Sequence, residues 1–181
     1  VDRIVYIKPS ADGERIYFTN AGLLTRNPGG SGNGAAQRTD RLIDGKFENI
    51  ACTSKVITNP CQVVEDPDDL SRYYLGSYNS GYSSIKDKAL EGSLKANLPT
   101  DVVNTGFTNG FDFDKEGNMW IYPMSGKKTA VISMLPAAKR KSGVTNVVSD
   151  DWNTLATFTN LEVNFDQHVF ICKKSNMILF A

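Results

Sequence analysis

Few side chains could carry chemistry, and their spacing argues against most of it. His168 is the single histidine, so a Ser–His–Asp or Cys–His arrangement would have to use it. Asp166, His168 and Cys172 are separated by even numbers of residues, so on one strand they would share a face. Along that strand His168 and Cys172 lie more than about 10 Å apart, beyond the hydrogen-bond reach a nucleophile needs from its base. His168 is therefore expected to be structural. Carboxylate pairs are the other candidate. Asp66, Asp68, Asp69, Asp150 and Asp151 could supply two acids across a cleft, as glycoside hydrolysis requires. Each falls where a turn is expected, and turn chemistry accounts for it.

Metal and phosphate motifs fare no better. Asp112-Phe-Asp114-Lys-Glu116-Gly117 begins like a calcium loop, but the twelfth position, where a bidentate Glu is needed, is Pro123. A tight turn fits the stretch better: Asp114 accepts backbone hydrogen bonds and Gly117 or Asn118 takes the left-handed conformation. The run Gly29-Gly30-Ser31-Gly32-Asn33-Gly34 lacks both the G-x-G-x-x-G spacing and a following helix. Gly126-Lys127-Lys128-Thr129 has a second Lys where the phosphate-binding motif has Ser or Thr. Cys52, Cys61 and Cys172 form no C-x-x-C pair. They are expected as buried free thiols, with a Cys52–Cys61 disulfide as the alternative in an oxidising compartment. No catalytic residue, metal or cofactor is expected.

Composition narrows the partners. Lys plus Arg and Asp plus Glu both number 20, so the formal charge is zero, and nothing draws the chain to nucleic acid or an acidic membrane. No apolar run approaches 18 residues, so no membrane contact is expected of this segment. The chain opens at Val1 without Met and stops inside the apolar run Ile178-Leu179-Phe180-Ala181, which reads as a piece of a longer protein.

The elements that would position these residues are short strands. The longest helical candidate, Thr129 to Arg140, is broken by Pro136, and Val131 and Ile132 in it favour a strand. Short apolar runs separated by Gly, Asn, Asp and Pro dominate instead, among them Ile4–Ile7, Ile16–Phe18, Tyr73–Leu75, Met119–Tyr122 and Val169–Ile171. Four segments share one layout: an apolar run, an Asp-containing turn, an aromatic-rich run, a small or polar turn and a third run. The turn aspartates Asp12, Asp66, Asp114 and Asp166 recur at intervals of 54, 48 and 52 residues. A period near 50 suits a four-stranded blade with one long loop. The expected fold is all-β: a partial β-propeller of about four antiparallel four-stranded blades, over residues 1–56, 57–104, 105–158 and 159–181, the last incomplete after its third strand. Third strands should follow the turns Asn20-Ala21-Gly22, Asn79-Ser80-Gly81 and Ser125-Gly126-Lys127. Fourth strands are expected at Lys46–Ala51, Gly92–Ala96 and Trp152–Phe158. Arg26 to Asp40 and Lys139–Lys141 with Ser142-Gly143 read as exposed loops. Most aromatic rings belong to blade packing. Tyr78 and Tyr82 flank a turn and are the rings expected to be exposed and to touch a ligand.

Asp114-Lys-Glu-Gly117-Asn118-Met119-Trp120-Ile121 resembles the D-x-x-G-N-[LM]-W-[IV] core of the two-component regulator propeller repeat. The resemblance implies that Asp114, Gly117 and Asn118 form the turn between the first two strands of a blade, and that Trp120 packs between neighbouring blades. Asp66-Pro67-Asp68-Asp69 with Tyr73-Tyr74-Leu75-Gly76-Ser77 and Gly81-Tyr82 is similar to a variant in related bacterial surface propellers, including one from a type IX secretion attachment complex. Asp12-Gly13 and Asp166-Gln-His depart from the core. The resemblance implies an exported bacterial protein, periplasmic or at the cell surface, without enzymatic activity. It would bind a glycan or a protein, as the sensor region of a hybrid two-component regulator or as a structural propeller of a secretion complex. Unpaired strand edges and an uncovered blade face would also favour a homo-oligomer.

Overall fold

The structure is a computed structural model describing residues 4–10, 12–20, 38–52, 60–77, 81–87, 89–96, 106–125, 129–161 and 168–180. The chain divides into two compact units, Val1–Glu91 and Gly92–Ala181. In order the strands are β1 (Ile4–Pro9), β2 (Arg15–Asn20), β3 (Arg38–Ile43), β4 (Lys46–Cys52), β5 (Pro60–Asp66), β6 (Asp69–Ser77), β7 (Gly81–Lys86) and β8 (Ala89–Leu94). Then come β9 (Gly106–Phe113), β10 (Met119–Ser125), β11 (Ala130–Leu135), helix α1 (Ala137–Lys141), β12 (Asn153–Phe158), β13 (Val169–Cys172) and β14 (Met177–Phe180). They form three four-stranded meanders, each joining neighbours in sequence. Sheet one is β1-β2-β3-β4, sheet two β5-β6-β7-β8 and sheet three β9-β10-β11-β12; β13-β14 is a two-stranded hairpin.

In the first unit the core lies between sheets one and two. Tyr6, Tyr17 and Ile50 of sheet one meet Val63, Tyr73, Leu75 and Ile85 of sheet two. Alternation sends Arg15, Tyr17 and Thr19 of β2 inward and leaves Ile16 exposed. Two polar links cross the contact. Gln62 Nε2 donates to the Tyr6 hydroxyl at 2.9 Å. Glu65 accepts from the Tyr17 hydroxyl and from Arg15 Nε at 3.0 Å. Burial, then the Glu65 carboxylate, pushes the Tyr17 phenol up to about 12. The hydrogen bond to Glu65 also raises the Arg15 pKa, so the guanidinium stays charged in its buried position.

In the second unit, cross-strand rows fill one face of sheet three. Phe113, Met119 and Leu135 pair in register, as do Phe111, Ile121 and Ser133, and all six are fully buried. The other face carries Asp112, Trp120 and Tyr122 and packs on the hairpin. Phe180 lies 6.4 Å from the Trp120 ring and 5.7 Å from Tyr122. Asp112 Oδ2 accepts the Ile171 amide at 3.1 Å.

Several expected boundaries move. Arg38–Asp40, read as the end of a loop, are the start of β3; the rest of that loop and the run after Asn20 lie outside the described residues. β3 and β4 join through Asp44-Gly45, both at positive φ (50° and 71°), as a two-residue hairpin demands. The fourth strand of sheet two is Ala89–Leu94 rather than Gly92–Ala96. Lys139–Lys141 is no exposed loop tip: it ends α1, and Arg140 is only 2% exposed. Pro136 does stop β11 and takes the N-cap of α1. In the last expected blade, 159–181, β13 and β14 are described, and the strand expected after Leu161 lies outside the described residues.

Removing Glu65 would strand a buried guanidinium and a buried phenol. Glu65→Ala is therefore expected to cost roughly 3 kcal/mol, and Glu65→Gln, which keeps an acceptor for Tyr17, clearly less. Urea unfolding followed by far-ultraviolet circular dichroism measures both.

Candidate functional site

The turns between first and second strands share one geometry. Asp12 Oδ1 accepts the Glu14 amide at 3.1 Å, Asp66 Oδ1 the Asp68 amide at 2.8 Å, and Asp114 Oδ1 the Glu116 amide at 3.1 Å. Each is an Asx turn, in which the side chain mimics a backbone carbonyl. The second oxygen then reaches the following strand. Asp12 Oδ2 takes Arg15 Nη2 at 2.8 Å, Asp66 Oδ2 lies 3.5 Å from Arg72 Nη1, and Asp114 Oδ2 takes Trp120 Nε1 at 2.9 Å. Asp166 lies outside the described residues.

The Asp114 turn is the most fully bonded of the three. Its carboxylate also receives the Asn118 amide at 2.8 Å and Asn118 Nδ2 at 2.9 Å. Gly117 takes the left-handed conformation (φ 81°) and its amide donates to the Asp114 carbonyl. α1 closes over the turn: Asn118 Oδ1 accepts the Ala137 amide at 2.9 Å, and Arg140 Nε donates to the Gly117 carbonyl at 3.0 Å. The Arg140 guanidinium sits 5.2 Å from the centroid of the Phe113 ring. Asp112 and Asp114, the start of the apparent calcium motif, both accept N–H donors. Among the described residues no three His, Cys, Asp or Glu side chains cluster as metal ligands.

Tyr82, expected as an exposed ligand-contacting ring, is buried at 1% exposure, and burial pushes its phenol well up. It sits in β7, opposite Gly76, so a ligand on the turn cannot reach its ring. Tyr78 lies outside the described residues, as do the side chains of Cys52 and Cys61. Cys172, expected to be buried, is exposed; it lies on the face of β13 turned away from sheet three. The His168 ring lies 5.6 Å from Phe170.

A concavity of the first unit lies elsewhere. Arg41 of β3, Leu70, Ser71 and Tyr73 of β6, and Asp87 after β7 line a cleft of about 450 Å³. Each has a reason for its place. Arg41 points inward beside Tyr17, its register partner, and pairs with Glu48 of β4. Asp87 adopts φ 48° in the turn to β8, fixed by its amide donating to the Ser71 carbonyl at 3.1 Å. Leu70 is 56% exposed, an apolar wall among polar groups. Behind it lies an ion-pair cluster: Arg72 grips Glu91 at 2.8 Å, and Asp69 takes Lys86 at 3.1 Å. The cleft thus offers a cation, a carboxylate, a hydroxyl and one apolar surface. Sequence reading missed Arg41 and Asp87; the alternation of Arg38–Ile43 and the turn after Lys86 were the available signals.

Three antiparallel four-stranded meanders define the class: this is a β-propeller fold. No protein-family model and no curated protein sequence matches the chain. Solved structures similar to the chain include two propellers. One is PorZ, an essential bacterial surface component of the type IX secretion system of Porphyromonas gingivalis, at 13% identity and TM-score 0.59; the match covers 94% of this chain and 22% of that one. The other is the β-propeller domain of Cps50 (Swd1) from Myceliophteria thermophila, at 9% identity and TM-score 0.58, covering 98% of this chain and 48% of that one. The chain thus spans about a fifth of the first and about half of the second.

Asp114→Asn turns an amide nitrogen toward the Asn118 and Trp120 donors. It is expected to destabilise about as much as Asp114→Ala, roughly 2–3 kcal/mol, measured by urea unfolding followed by tryptophan fluorescence. Acid offers a second check. Ser10 lowers the Asp12 carboxyl to about 2 and Ser71 lowers Asp69 to about 2, both from 3.8. Depressed carboxylates contribute stability that is complete above about pH 4 and lost as pH falls toward 2. Asp69→Asn should therefore flatten the loss of stability across that window, read from urea midpoints at successive pH values.

Proposed function

We propose that this chain is a non-enzymatic binding module and that the Arg41–Asp87 cleft holds its ligand. The cleft's mixed lining carries the reading. A charged pair flanking one apolar wall suits a polyhydroxylated ligand, whose hydroxyls bond carboxylate and guanidinium while its C–H face lies on Leu70. A glycan fragment has that chemistry. The buried carboxylates Asp66, Asp112 and Asp114 accept donors within the framework, which supports recognition over acid–base catalysis.

The wider role follows as part of the same proposal. The Asp114–Ile121 motif, through its likeness to the two-component regulator propeller repeat, supports the sensor region of an exported bacterial regulator. The likeness to PorZ favours a second reading, a structural propeller of a type IX secretion or surface-attachment complex.

Calorimetric titration with a panel of oligosaccharides tests the binding role. At least one should bind, with affinity reduced tenfold or more by Asp87→Asn, which suits the positive φ, and by Leu70→Glu. No binding across the panel, or binding indifferent to both substitutions, sinks the glycan reading.

A further inference from the structure

Among the described residues, two sheet faces carry exposed apolar rows. On sheet one, Pro9, Ile16, Leu42 and Phe47 pair in one apolar row across all four strands, and Ile7 pairs with Phe18 in the next, which continues to the polar positions Asp40 and Asn49. This is the face opposite the Tyr6–Tyr17 core; Ile7 is 61% and Phe47 72% exposed. On the hairpin, Phe170 pairs with Leu179 and Cys172 with Met177. That face turns away from Trp120 and Asp112, and Phe170, Met177 and Leu179 are 47%, 64% and 56% exposed.

We infer that the outer face of sheet one packs on the outer face of the β13–β14 hairpin of a second copy of this chain. The molecule already makes this kind of contact twice. Sheet one meets sheet two through Tyr17 and Tyr73, and sheet three meets the hairpin through Trp120 and Phe180. A β-propeller covers its sheets by neighbouring sheets, and a sheet face is the cover these exposed apolar rows would take. Two copies also carry about the chain length of the Swd1 propeller domain, of which one copy spans 48%. The faces differ, four strands against two, so the contact is head-to-tail and not self-complementary. Both are apolar, so water release from the rows drives it.

Light scattering on the size-fractionated 181-residue chain tests this. The expected mass is twice 19.9 kDa. Phe47→Glu and Leu179→Glu each place a charge in one half of the contact, and each chain alone should run as a monomer with unchanged circular dichroism. Mixed in equal amounts they should pair again, because the intact hairpin of one meets the intact sheet one of the other. A wild-type monomer at every concentration overturns the proposal and leaves the faces to sheets of a longer polypeptide. Persistence of the dimer in either single variant, or failure of the mixture to pair, overturns it too.

Discussion

A carboxylate two residues upstream of an amide ties together the first two strands of each four-stranded sheet. At Asp12, Asp66 and Asp114 the same oxygen accepts the amide at the second residue on, and its companion oxygen reaches a side chain of the next strand. The turn and strand register are fixed together, because the second bond forms only if that strand leaves the turn at the right residue. Tyr17, Tyr73 and Trp120 stand where they do because of it. The aromatic packing between sheets depends on this local bond, which is why a degenerate repeat can keep one geometry while its core residues change from Tyr to Trp.

Sequence therefore makes the turn aspartates and the blade period legible, since the Asx turn is a local preference written in neighbouring residues. Lys46–Ala51 and Trp152–Phe158 foretell β4 and β12 nearly to the residue, because apolar and branched residues there sit between clear turns. The misses are of other kinds. Asp44-Gly45 is a strong local hairpin signal, obscured by the glycine-rich stretch before it. Tyr82 flanks a turn, but which face of β7 it occupies follows from pairing with Gly76, a nonlocal fact. Arg140 looks like part of a solvated basic run. Its burial depends on the Phe113 ring and the Gly117 carbonyl, 27 and 23 residues away in the chain. The cleft was illegible for the same reason: Arg41 and Leu70 come from different sheets.

Charge is used internally in the first unit. Arg15, Arg41 and Arg72 each hold a glutamate, across facing sheets, on the neighbouring strand and two strands away in the same sheet respectively. Pairs this sheltered contribute more to a unique arrangement than to net stability, since desolvation offsets much of their attraction. The neutral overall charge thus conceals an ordered internal arrangement of opposite charges, in which Arg41 holds Glu48 and also lines the cleft.

The two tryptophans give the molecule an uneven optical character. Trp120 donates to Asp114 and Trp152 to the Lys95 carbonyl at 2.8 Å, and both belong to the unit from Gly92 onward. The unit ending at Glu91 has no indole, only tyrosine emission from rings such as Tyr17, Tyr73 and Tyr74. Exciting the indoles alone reports one half of the chain, while tyrosine absorbance registers mainly the other, which holds every tyrosine but Tyr122. The sequence thus carries two built-in colours, by which the halves can be watched losing their structure separately or together.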